Sequence, residues 1–172
     1  NEEKIVVNTL GDAIYARDDQ TMESIVVDLL KKKNLTFSVA ESLTGGMIQS
    51  RIVDVFGTSD VFVGGAVTYA PELKETMLNV EVQDVYTPDC AQQMAQGIRK
   101  LTNSDIGIST TGVAGPDDED GHQAGEVHIG LSTAEQTSAQ RLVFSGDRQR
   151  IREYTTISAL NILRKYLLGL ES

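Results

Sequence analysis

Thr36-Phe37-Ser38-Val39-Ala40-Glu41-Ser42-Leu43-Thr44-Gly45-Gly46 is the stretch that decides the fold. Thr36 to Ala40 reads as a short buried strand, with an aromatic and two β-branched residues beside small ones. It stops at Glu41 to Gly46, where two glycines permit a tight turn. Met47, Ile48, Ile52 and Val53 then repeat at helical spacing. A strand that turns sharply into a helix is the building unit of an α/β domain.

The same alternation extends in both directions. Upstream, Met22, Ile25, Val26, Leu29 and Leu30 mark a helix with Thr21 as N-cap and an end near Lys33-Asn34. Residues 1 to about 19 form an arm before it, with a strand at Lys4-Ile5-Val6-Val7 and a turn at Leu10-Gly11-Asp12. Downstream, Val61 to Tyr69 is β-rich but interrupted by Gly64-Gly65, where a glycine pair in a strand suggests close backbone approach by a partner chain. Pro71 opens a helix, and Ala91 to Leu101 is another. Asp105 to Thr110 is a strand that runs into Thr111-Gly112-Val113-Ala114-Gly115-Pro116. Glu126 to Thr133 and Ala139 to Ser145 are antiparallel strands, and Ile151 to Leu168 is the closing helix. This order predicts a three-layer α/β/α sandwich around a mixed sheet, with one domain over residues 20–172. The run Asp117-Asp118-Glu119-Asp120 reads as a surface loop and as the segment most prone to disorder.

The 172 residues suffice for one domain with its own core. A single cysteine, Cys90, excludes an internal disulfide and fits a reducing cytoplasm. No apolar run reaches the ~20 residues of a membrane span, and Asn1-Glu2-Glu3-Lys4 lacks the basic start of a signal peptide. The missing initiator Met suggests a piece of a longer protein. A formal net charge of −10 repels nucleic-acid phosphates, so no direct nucleic-acid partner is expected. One Cys and two separated His give no metal-ligand spacing.

The chemistry gathers at turns that follow strands, where open α/β sheets bind ligands. Ser42 lies between a strand and a glycine-rich helix start. The N–H groups of Thr44, Gly45 and Gly46 there suit a phosphate or a developing oxyanion. A serine nucleophile needs a base. His122 sits in the acidic loop and His128 in a strand on the same face as Glu126, and both read as solvated or half-buried histidines. Lys74, in the first turn of the helix opened by Pro71, is the better base. The helix dipole and burial both disfavour its ammonium form. Spacing alone also allows an ordinary exposed lysine, kept charged by Glu72 or Glu75.

Five ordered segments stand out: Val39 to Gly46, Gly64 to Tyr69 with Lys74, Ser109 to Pro116, Gly125-Glu126-Val127-His128, and Phe144-Ser145-Gly146-Asp147-Arg148 with Arg152. Read together, they resemble the CinA C-terminal domain family. The resemblance covers about residues 20 to 170, and residues 10–19 resemble the junction to an N-terminal domain. It implies hydrolysis of the carboxamide of nicotinamide mononucleotide to nicotinic acid mononucleotide and ammonia, with no cofactor. It also implies a homodimer. By this resemblance Ser42 is the catalytic serine, Lys74 and Tyr69 are its partners, and Thr111 with Gly112 forms the second glycine-rich turn. Arg148 is the first choice for the substrate phosphate, with Arg152 in reserve. Leu43 stands where the family usually has Cys, and the Asp117 to Ala124 segment replaces a glycine-rich loop with a Lys-Pro. The competing reading is a non-catalytic binding module that recruits competence or recombination proteins around a relic pocket.

Overall fold

The structure, a computed structural model, describes residues 20–170; the strand expected at Lys4 to Val7 and the turn at Leu10 lie outside the described residues. The elements run α1 (Met22–Lys33), β1 (Phe37–Glu41), α2 (Met47–Val53), a 3-10 turn (Thr58–Asp60), β2 (Phe62–Val67) and α3 (Pro71–Leu78). They continue with α4 (Pro88–Thr102), β3 (Ile106–Gly112), β4 (Glu126–Ser132), β5 (Thr137–Val143) and α5 (Arg148–Leu168). The sheet order is β2-β1-β3-β4-β5. β1 is parallel to both β2 and β3, whereas β3–β4 and β4–β5 are antiparallel.

Helices cover both faces, which makes a three-layer α/β/α sandwich with a mixed sheet. On one face α1, α2 and α5 bury Val26, Leu30, Ile48, Ile52, Leu160 and Leu163 against Phe37, Val39, Ile108 and Ile129. On the other, α3 and α4 bury Leu78, Met94 and Ile98 against Ala40. Phe37 is fully buried and its ring centroid lies 5.1 Å from that of Phe62. Truncating a buried phenylalanine to alanine costs about 3–5 kcal/mol.

Capping residues explain where the helices depart from the periodicity. Thr21 caps α1, and its side chain accepts from Ser24 N–H. α4 starts at Pro88 rather than Ala91, because the Thr87 side chain accepts from Cys90 N–H and proline fits the first turn. α5 starts at Arg148 rather than Ile151, because the Asp147 carboxylate accepts from Arg150 N–H at 2.8 Å. β5 runs from Thr137 rather than Ala139 and ends at Val143, in a register that pairs Ser132 with Thr137 and Glu126 with Val143. Among the described residues, no helix is long and apolar enough to cross a membrane.

Two local expectations are corrected. A Cβ at Gly65 would collide with the Val39 carbonyl and the Gln49 side chain, so the close approach there is made by this chain's own β1 and α2. The acidic segment is an ordered hairpin: Glu119 and His122 exchange both backbone hydrogen bonds, at 2.9 and 2.8 Å, across Asp120-Gly121. Asp120 and Gly121 both have positive φ, the backbone that Asp-Gly supplies in tight hairpin turns. The Asp118 carboxylate closes the segment by accepting from Ala124 N–H at 2.8 Å.

Candidate active site

β1 leads outward to β2 on one side, and the chain then crosses to β3 on the other. The crevice beyond the carboxyl ends of β1 and β3 is therefore a topological switch point, where ligands bind in open sheets. Ser42 is the first residue past β1. Its N–H donates to the Thr110 carbonyl at 3.0 Å, and Thr68 N–H donates to the Glu41 carbonyl at 2.9 Å. These bonds anchor the turn to β3 on one side and to the end of β2 on the other.

Lys74 reaches this point from the first turn of α3. Its Nζ lies 3.1 Å from Ser42 Oγ and donates to the carbonyls of Thr68 at 2.8 Å and Tyr69 at 3.2 Å. Lys74 is 2% exposed, and burial lowers its pKa, against smaller opposing effects of Cys90 and Glu72. The carbonyl geometry has a direct consequence. A neutral amine has two N–H donors and one lone pair; the two carbonyls engage the donors, and the lone pair is left for the Ser42 hydroxyl proton. The arrangement is a serine hydroxyl beside a desolvated lysine amine. Cys90, packed nearby, is fully buried and its thiol is pushed up to about 11, chiefly by burial, so it offers no thiolate.

The pair opens into a cavity of about 270 Å³ lined by Tyr69, Tyr86, Gly112, Glu119, Asp120 and Arg148 beside Ser42 and Lys74. Two larger grooves, of about 500 and 590 Å³, lie at the carboxyl end of α5 and between α3 and α4. Neither holds a nucleophile beside a base, so chemistry rather than size selects the smaller cavity. Arg148, at the first position of α5, donates to the Gly115 carbonyl at 2.6 Å and to the Tyr69 hydroxyl at 2.7 Å. Tyr69 thus meets Lys74 through its carbonyl and Arg148 through its phenol.

Other residues singled out in the sequence stand behind the cavity. The Thr44 hydroxyl pairs with that of Thr110 at 2.8 Å. Thr111 donates to the Val85 carbonyl at 2.6 Å and so fixes the segment that carries Tyr86. Arg152 donates to the Leu43 carbonyl from Nε and to the Thr44 carbonyl from Nη2, both at 2.9 Å. The helix start expected to be open to an anion is already filled by one. The buried Glu41 carboxylate accepts from Gly46 N–H at 3.0 Å, Ile48 N–H at 3.2 Å and Gln49 N–H at 3.0 Å. Gly45 N–H is used as well, on the Ser42 carbonyl at 3.0 Å. Among the described residues, the N–H groups of Leu43 and Thr44 are the ones in this turn without a protein acceptor.

Sequence reasoning missed Tyr86, Glu119 and Asp120. The signal for the last two was Asp120-Gly121, a hairpin turn read as a disordered run. Tyr86 is pushed up to about 12, first by burial and then by the Glu119 carboxylate beside it. A charged cluster holds this wall. His122 lies 2.9 Å from Asp84 through Nε2 and 3.3 Å from Glu126 through Nδ1. Arg141 forks onto both Glu126 oxygens at 3.1 Å and, as the largest effect, holds that carboxyl near about 2. His128 is fully buried rather than half-buried, 3.3 Å from Glu126, and burial lowers its pKa. Among the described residues, no group of three or more His, Cys, Asp or Glu is placed to hold a metal ion.

The family model of the CinA C-terminal domain matches residues 19–167. The chain belongs to the CinA C-terminal domain family. A CinA-like protein of Dictyoglomus thermophilum is 47% identical over 167 residues, which cover 94% of this chain and 41% of that protein. A competence-damage inducible protein of Thermoanaerobacter sp. (strain X514) is 44% identical over 168 residues, again 94% of this chain and 41% of the relative. The CinA domain described here therefore spans about two fifths of the curated relatives it matches. The crystal structure of competence damage-inducible protein A from Klebsiella pneumoniae subsp. pneumoniae MGH 78578 superposes with a TM-score of 0.83 at 29% identity, over 87% of this chain and 97% of that one. These names speak of competence and damage and specify no reaction.

Proposed function

We propose that this CinA domain is an amidohydrolase that converts nicotinamide mononucleotide and water to nicotinic acid mononucleotide and ammonia. One observation carries the reading: a serine nucleophile 3.1 Å from a buried lysine whose two other contacts are carbonyls. Neutral Lys74 takes the Ser42 proton as Oγ attacks the amide carbon. The proton passes from Lys74 to the departing nitrogen, the C–N bond breaks and ammonia leaves an acyl-Ser42. Lys74, neutral again, takes a proton from water, which attacks the acyl carbon. Nicotinic acid mononucleotide departs, and the proton returns to Ser42.

The cavity walls suit this substrate. The rings of Tyr69 and Tyr86 and the carboxylates of Glu119 and Asp120 complement a positively charged pyridinium. That ring withdraws electrons from the amide and activates it. Arg148, the cavity's guanidinium, suits the phosphate. A cytoplasmic homodimer completes the reading, and light scattering at micromolar concentration checks the dimer. The competing reading is a binding module that recruits competence or recombination proteins; the relatives' names speak only of competence and damage. Ammonia release decides between them: the purified domain liberates ammonia from nicotinamide mononucleotide if it is a hydrolase, and none if the pocket is a relic.

A further inference from the structure

The turn that carries Ser42 is held by an arginine outside the cavity. Arg152 Nε and Nη2 bond the carbonyls of Leu43 and Thr44, each at 2.9 Å. Arg152 does not line the cavity, whereas Ser42 and Leu43 do. A trans peptide is planar, with its C=O and N–H pointing in opposite directions. Fixing the Leu43 carbonyl on Arg152 therefore turns the Thr44 N–H away from Arg152. The preceding plane is fixed in the same sense, because the Ser42 carbonyl accepts from Gly45 N–H at 3.0 Å and this directs the Leu43 N–H away from the turn's interior.

Both N–H groups lack a protein acceptor among the described residues, although Leu43 is 3% exposed and Thr44 is fully buried. Buried main-chain donors are almost always paired, and one left unpaired costs about 1–3 kcal/mol. Leu43 lines the cavity and Thr44 lies directly behind it, so two main-chain donors without a protein acceptor follow a serine paired with a lysine, where acyl transfer develops charge. The neighbouring donors are spent: Gly45 on Ser42, Gly46 on Glu41.

We infer that Arg152 is a positioning residue that orients the Leu43–Thr44 peptide, so that the N–H groups of Leu43 and Thr44 receive the oxyanion formed when Ser42 attacks. This rests on the hydrolase reading and departs from a phosphate role for Arg152, whose donors are turned onto main-chain carbonyls. The two roles separate kinetically. Donors that act only in the transition state change kcat, whereas a phosphate ligand changes KM and only for a phosphorylated substrate.

The experiment compares wild type with R152K and R152Q, neither of which presents the planar guanidinium whose Nε and Nη2 engage the two carbonyls together, using variants whose melting temperature shows them folded. On nicotinamide mononucleotide, kcat falls about 10- to 100-fold, with KM and the preference over nicotinamide riboside unchanged within about threefold. A raised KM for the mononucleotide with unaltered riboside kinetics overturns the proposal and makes Arg152 a phosphate ligand. A second readout needs no turnover. Pyridine-3-carboxaldehyde adds to a serine hydroxyl to give a tetrahedral hemiacetal, whose binding is followed by titration with Ser42→Ala as the blank. Its affinity falls at least tenfold in R152K, while that of nicotinamide stays constant. Equal aldehyde affinity in R152K and wild type overturns the proposal even if ammonia release succeeds. If the wild type releases no ammonia, the hydrolase reading fails by itself and the aldehyde titration still judges Arg152.

Discussion

Two walls of one cavity handle charge in opposite ways. Lys74 is stripped of water and given carbonyls instead of a carboxylate, so burial drives it toward the neutral amine. The wall formed by the 117–124 hairpin pairs its histidine with carboxylates instead. His122 is pinned between Asp84 and Glu126, and an Arg141 fork holds Glu126 ionised down to about pH 2. Reaction requires a group that gives up its charge, whereas recognition of a charged ring and a phosphate requires groups that retain theirs. On the proposed function, the difference would place catalysis on the β1–α3 side and recognition on the hairpin and the start of α5.

The sharpest way to break the comparison is Lys74→Met. Hydrolysis falls about 10²- to 10⁴-fold, the span of a lost general base, as measured by ammonia release. Stability moves the other way with pH. Because the folded-state pKa of Lys74 is lowered from 10.5, the unfolded chain binds more protons between the two values. Wild-type stability therefore rises with pH across that window, and this increment disappears in Lys74→Met. Melting curves of both proteins across that range check the sign. Parallel curves would return Lys74 to an ordinary charged lysine.

Arg148→Ala sharpens the recognition side. It slows hydrolysis of the mononucleotide by about 10²-fold in kcat/KM, the worth of a charge-assisted contact of a few kcal/mol. The riboside, which has no phosphate, loses far less, only what the Arg148 bond to the Tyr69 hydroxyl contributes. Equal wild-type rates on the two substrates would show that Arg148 serves only Gly115 and Tyr69.

The smallest effect belongs to His122. Its pKa is raised, first by its hydrogen bond to Asp84, so its tether contributes fully below 6.5 and is lost as pH rises through the higher folded value. KM for the mononucleotide should rise about threefold across that alkaline step, with the tether being a partly exposed pair, and His122→Asn should abolish the step. An unchanged step in the variant would detach the hairpin from binding.

The meeting of Ser42 and Lys74 is legible in the sequence because local signals specify it. A strand, a glycine-rich turn and Pro71 place Ser42 and Lys74 at element ends, and β1 and α3 deliver them to one point. Other features depended on pairings between distant segments. Periodicity in residues 41–49 does not tell that Glu41 folds back to cap α2, so the helix start looked open to a ligand. Arg152 is separated from Leu43 by most of the domain, and its role as a clamp appears only once α5 is docked. The hairpin differs for another reason: four acidic residues in a row suggest disorder, but the turn chemistry of Asp120-Gly121 outweighs that composition.

The central claim is that Ser42 is the nucleophile of an amide hydrolysis driven by Lys74. Steady-state ammonia release from nicotinamide mononucleotide by wild type and Ser42→Ala, with circular dichroism to show both folded, tests it most directly. The account predicts that kcat in the variant falls by about 10³-fold or more, as expected when the attacking atom is removed. A folded Ser42→Ala that retains more than about a tenth of the wild-type kcat would contradict it, since one decade is only about 1.4 kcal/mol of barrier.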